Sequence, residues 1–163
     1  MTLVKTFLHT CKKYSQKTAV TDHSGAFTYE DLHQESIRCA SRLLSGVTGR
    51  NIGILLPNGK EFVVAFYGTL MAGKTPVPLN YLLSPAQLLY VIRDAGIDTV
   101  FTNNLFSPML GNQIKNTLLT EEKQSGATCN EENIKQGDEE EQAALLYTSG
   151  TNANPKGVIL THK

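Results

Sequence analysis

Residues 148–157 read Thr148, Ser149, Gly150, Thr151, Asn152, Ala153, Asn154, Pro155, Lys156, Gly157, between the apolar runs AALLY and VILTH. Three hydroxyls, two glycines whose backbone can approach a ligand closely, and one lysine together offer oriented donors and a point charge. A polyphosphate needs that combination. The spacing is not that of a Walker loop, because Pro155 rather than glycine precedes Lys156 and Gly157 rather than a hydroxyl residue follows it. A P-loop ATPase is therefore disfavoured. On residue types alone, an ordinary polar hairpin accounts for the segment equally well.

Other residues of catalytic type lack partners at useful spacing. His9, His23 and His33 have no ligand-spaced carboxylate or cysteine near them and read as surface or helix positions. Cys11, Cys39 and Cys129 form an odd set with no short pairing, which fits neither a disulfide framework nor a zinc site and points to a reducing cytoplasm. Cys11 and Cys39 fall on apolar helical positions and read as buried space-fillers. The acidic residues around Gly137 do not have EF-hand spacing, so no metal site is expected.

The elements that must hold the polar loop follow from periodicity. Leu3, Phe7, Leu8, Cys11 and Tyr14 recur at helical spacing with Lys5, Lys12 and Lys13 off the stripe, which predicts an amphipathic opening helix. Short strands at Thr18–Thr21 and Ala26–Thr28 flank a turn over 22–25. Thr28 caps a helix running to about Gly46, with Glu30 and Asp31 in its first turn. Residues 51–56 read as a strand covered on both faces. Asn58 and Glu61 resemble a capping box opening a helix that Gly73 closes. A strand over 75–79 follows. Ser84, Pro85 and Gln87 then make the clearest helix start in the chain, which ends at Gly96. Residues 98–101 form a third strand and 143–148 a fourth. Between them, 103–120 has a weak helical pattern broken by Pro108 and Gly111, and one or two short helices are expected there. Alternation of strand and helix from Asn51 onward predicts an α/β fold with a mainly parallel sheet flanked by helices.

The chain has 163 residues, 40% of them apolar, enough for one sizeable core. Basic and acidic residues number 15 each, which favours neither nucleic acid nor an anionic membrane. Residues 121–141 nevertheless hold eight acidic side chains against Lys123 and Lys135, so a body of +6 is balanced by a stretch of −6. That stretch reads as a solvated, mobile loop. No apolar run approaches the ~20 residues of a bilayer span, and the lysine-interrupted start MTLVKTFLHTCKKYS does not resemble a signal peptide.

The segment YTSGTNANPKGVILTHK resembles the signature of adenylate-forming enzymes, usually written YTSGTTGxPKGV followed by a threonine or serine and a histidine. FTYEDL, NIGILLPNGKEFVVAFYGTLMAGKTPVPLN and LSPAQLLYVIRDAG are similar, in order and spacing, to that family's first conserved stretches. The resemblance covers nearly the whole chain except the acidic stretch. It implies the first part of the large amino-terminal domain of an acyl-CoA synthetase type of ligase, with 147–158 as the phosphate-binding loop. Thr148, Ser149, Gly150, Thr151 and Lys156 then bind the β- and γ-phosphates of ATP, with Mg2+. A carboxylic acid, by likeness a fatty acid, attacks the α-phosphorus, and the acyl-adenylate passes to coenzyme A. Two positions depart from the signature, Asn152 for threonine and Ala153 for glycine, which implies a stiffer loop. His162 matches the trailing histidine. The adenine site, the magnesium-binding glutamate, the ribose-binding aspartate and a mobile carboxy-terminal domain have no counterpart in these residues, so no catalytic residue is assigned and the chain alone is not expected to catalyse. The competing class is a non-catalytic nucleotide-binding or interaction module that retains the first half of the fold.

Overall fold

A computed structural model of the chain describes residues 1–112, 114–120, 133–148 and 155–163. The opening helix α1 (Leu3–Lys13) is capped by the Thr2 hydroxyl, which accepts from the Lys5 N–H, and buries Val4, Phe7 and Cys11. Strands β1 (Thr18–Asp22) and β2 (Gly25–Thr28) form the expected antiparallel hairpin. Helix α2 (Tyr29–Gly46) opens with a full capping box between Thr28 and Asp31. These elements form where their sequence patterns place them, with the strands reaching into the expected turn to Asp22 and Gly25.

The centre is a parallel four-stranded sheet in the order β4-β3-β5-β6. It is built from β3 (Asn51–Leu55), β4 (Thr75–Pro78), β5 (Thr99–Thr102) and β6 (Asn116–Leu119). Helices α3 (Lys60–Met71) and α4 (Pro85–Asp94) make the crossovers. Strand alternation sends Ile52, Ile54 and Leu56 into a core shared with α1, α2 and α3, while Leu55 joins Val77, Val100 and the α4 residues Leu88, Val91 and Ile92 on the other face. Helices thus cover both sides of β3, which explains its unbroken apolar run. Among the described residues no helix is long and apolar enough to cross a membrane.

Three details differ from expectation. Residues 116–119 are a parallel edge strand and not part of a helix; only the 3-10 turn Ser107–Leu110 is helical between β5 and β6. Four ladder positions from Thr99↔Asn116 to Thr102↔Leu119 outweigh a weak helical pattern. Second, α3 begins without the Asn58 capping box. Its N-cap is Gly59, and the Asp22 carboxylate from the β1–β2 turn accepts from the Lys60 N–H at 2.9 Å. Third, the strand expected over 143–148 is present as β7 (Gln142–Thr148), but it pairs antiparallel with β8 (Lys156–Thr161) in a separate two-stranded sheet lying beside β4. Of the acidic stretch, residues 121–132 fall outside the described residues. Over 133–141 the Lys135 N–H donates to Met71 O, the Thr2 hydroxyl donates to Gln136 O, and Glu139 pairs with the amino terminus.

Two outcomes test this packing. A Cβ on Gly68 of α3 would lie 2.5 Å from Cys39 Cβ and Sγ on α2 and 3.0 Å from Ser36 O. Gly68→Ala is therefore expected to cost about 1–3 kcal/mol in urea unfolding by forcing the two helices apart; an unchanged midpoint would show that this contact yields freely. Hydrogen bonds from the Lys60 and Ser24 backbone amides hold the Asp22 carboxyl below its usual 3.8. A depressed folded-state value means stabilisation that is present above the unfolded value and lost as pH falls through the folded one. The stability deficit of Asp22→Ala should be constant above about pH 5 and close in more acid solution. A deficit that persists there would remove the carboxylate from the cap.

Candidate functional site

Strand β7 carries the site because its two faces differ. Leu145 and Tyr147 pack onto the α4 core, while Thr148, one residue on, projects from the opposite face and is exposed. In β8 the register places Gly157 opposite Tyr147 and Lys156 opposite Thr148. Directly opposed residues of an antiparallel pair share a face with Cβ atoms about 5 Å apart. The Thr148 hydroxyl and the Lys156 side chain therefore emerge together at the mouth of the loop. Lys156 is exposed, and among the described residues it makes no ion pair. A hydroxyl donor and an unspent ammonium on one side of a hairpin can engage two oxygens of one polyanion. Of the five residues expected to contact phosphate, the structure brings these two together; Ser149, Gly150 and Thr151 lie outside the described residues, as do Asn152 and Ala153.

Below this pair sits a contact that sequence reasoning missed. The Tyr147 hydroxyl donates to Asp94 Oδ2 at 2.5 Å, joining β7 to the last residue of α4. Burial, then the hydrogen bond and charge of Asp94, push the Tyr147 phenol up from its ordinary value. A Cβ on Gly157 would stand 3.2 Å from Tyr147 Cζ and 3.3 Å from its hydroxyl oxygen, so the glycine leaves the room that the ring end occupies. One signal was available in the sequence: an acid at the end of a helix opposes the macrodipole and calls for a partner.

His162 does not join the site. It follows β8 at the end remote from Lys156, roughly 20 Å along the strand at 3.4 Å per residue. There its Nδ1 accepts from the Leu3 N–H at 3.3 Å, and burial lowers its pKa against the opposing pull of Glu141. A concavity between α2 and α3, lined by Glu35, Cys39, Arg42, Lys60 and Glu61 among others, encloses about 70 Å³. Nucleotide-sized ligands need some 300 Å³ or more, and Lys60 there is already paired with Glu35 at 3.1 Å. Cys39 beside it is buried, with burial pushing its thiol up to about 12, and Cys11 is buried likewise, as their apolar helical positions predict. Among the described residues no group of three His, Cys, Asp or Glu side chains is placed to hold a metal ion.

Known proteins share this architecture. The sequence pattern of the family described as AMP-binding enzyme matches residues 7–163. The mitochondrial malonate–CoA ligase ACSF3 of Homo sapiens is 29% identical over 92% of this chain and 29% of its own length. The long-chain-fatty-acid–CoA ligase of Bacillus subtilis is 26% identical over 99% of this chain and 37% of its own. Among solved structures, o-succinylbenzoate coenzyme A synthetase (MenE) from Bacillus subtilis, in complex with AMP, superimposes with a TM-score of 0.81 at 25% identity, covering 99% of this chain and 42% of that one. The N-terminal domain of FACL13 from Mycobacterium tuberculosis shares the fold, with a TM-score of 0.78 at 22% identity over 99% of this chain and 45% of that one. The chain thus spans about a third of the length of the two ligases compared by sequence. With the pattern matched over almost all of its residues, the chain belongs to the AMP-binding enzyme family of adenylate-forming ligases.

Proposed function

We propose that this chain supplies the polyphosphate-binding part of an ATP-dependent acid–thiol ligase, which activates a carboxylic acid as acyl-AMP and passes it to coenzyme A. One observation carries this: Thr148 and Lys156 are cross-strand partners at the mouth of the loop, with Lys156 unpaired among the described residues. A fatty acid is the favoured substrate, supported by likeness to the Bacillus subtilis long-chain-fatty-acid–CoA ligase. A cytoplasmic home is part of the proposal and is supported by the free, buried Cys11 and Cys39.

In the reaction proposed, an acid oxygen bonds to the α-phosphorus of ATP, the bond from that phosphorus to the bridging oxygen breaks, and pyrophosphate leaves with the electron pair. Charge accumulates on the departing group. The Lys156 ammonium and the Thr148 hydroxyl, both already oriented by the strand pair, interact more strongly with that group as its charge grows.

Lys156→Ala, in the polypeptide extended to full ligase length, is expected to slow acyl-adenylate formation more than it weakens acid binding. Loss of one charge-assisted hydrogen bond, about 1.5–3 kcal/mol, corresponds to a rate lower by about ten- to a hundredfold. ATP–pyrophosphate exchange with a panel of fatty acids measures it, and exchange at the wild-type rate would remove Lys156 from the phosphate role. The 163-residue chain by itself, spanning about a third of those relatives, is expected to show no exchange.

A further inference from the structure

Strand β8 is exposed at all six of its residues, including Val158, Ile159 and Leu160. Its only ladder partner among the described residues is β7, and a two-stranded hairpin is at best marginally stable by itself. Whatever sets the position of the Thr148–Lys156 pair must therefore act through β7. On the face of β7 turned to the protein body, Leu145 and Tyr147 make apolar contact, and the Tyr147 hydroxyl adds a directional bond to Asp94. Tyr147 immediately precedes Thr148, and its strand partner Gly157 immediately follows Lys156. The anchored pair and the exposed pair are consecutive rungs of one ladder. Asp94 also sits where a carboxylate is locally unfavourable, at the negative end of α4. Gly157 leaves open the space that the phenol needs to reach it.

We propose that Tyr147 is a positioning residue for the polyphosphate site, acting through its hydroxyl bond to Asp94. This inference rests on the phosphate role proposed above and adds the device that presets it. With the bond in place, the hydroxyl of Thr148 and the ammonium of Lys156 hold a fixed placement relative to α4 before any ligand arrives. Without it, the mouth of the hairpin swings about the Leu145 contact, and ordering it is charged against binding.

The test is uptake of inorganic tripolyphosphate by the 163-residue chain, followed by calorimetry at constant ionic strength. Tyr147→Phe keeps the ring against Gly157 and removes only the hydroxyl. It is expected to weaken binding about five- to tenfold, the scale of one charge-assisted hydrogen bond only partly recovered elsewhere. Asp94→Ala discriminates further, because deleting a negative charge near an anion site would by itself tighten binding. Positioning predicts weaker binding instead. Asp94→Asn, which retains a carbonyl acceptor for the phenol, should restore most of the loss, and Tyr147→Phe with Asp94→Ala should bind no more weakly than Tyr147→Phe alone. Wild-type binding with an unaffected Tyr147→Phe, or tighter binding by Asp94→Ala, would overturn the positioning role while leaving the phosphate site intact. A wild-type chain that takes up no tripolyphosphate would overturn the phosphate role and this inference with it.

Discussion

Burial of β3 between two parallel neighbours is the constraint on which the other elements depend. Ile52, Ile54 and Leu55 are fully buried, and their side chains divide between two cores, so neither face of the strand can be left uncovered. That requirement places α1, α2 and α3 on one side and α4 on the other. It also fixes β4 as the strand beside which the β7–β8 hairpin lies. The position of the candidate site is thus a consequence several steps removed from the apolar side chains of one strand. β3 seats α4, α4 ends at Asp94, Asp94 holds Tyr147, and Tyr147 precedes Thr148.

The hairpin differs in kind from the sheet it leans on. The sheet strands are covered by helices, whereas β8 presents apolar side chains outward from both of its faces. A site on such an element needs few but directional ties to the body. Lys156 is free to engage a ligand because no carboxylate among the described residues has claimed it; Lys60 and Lys163, by contrast, are each paired with a glutamate. The contrast between spent and unspent cations separates the Lys156 end of the hairpin from the mixed-charge concavity between α2 and α3.

Sequence made the local features legible and left the distant ones hidden. The starts of α2 and α4 were readable because each cap lies within three residues of the amide it serves, Thr28 with Asp31 and Ser84 with Gln87, whereas α1 was legible from its apolar spacing and not from its Thr2 cap. The start of α3 was misread because its cap, Asp22, lies 38 residues from Lys60 and meets it only after the β1–β2 hairpin has docked. Strand β6 was hidden for the same reason, since Asn116 to Leu119 become a strand only by pairing with β5. At the site, the types and spacing of Thr148 and Lys156 pointed to phosphate and to a known family. Their pairing across the ladder and the Tyr147–Asp94 bond, 53 residues apart in the chain, required the fold.

The mouth of the β7–β8 hairpin is the proposed place where the chain meets polyphosphate. Amide chemical shifts of the isotope-labelled chain, followed while ATP is added, test it most directly. Among the described residues, the largest changes are expected on Thr148, Lys156 and Gly157, with Tyr147 next and the α2–α3 concavity around Glu35 and Lys60 unmoved. Changes centred on that concavity, or spread evenly over the surface, would contradict it.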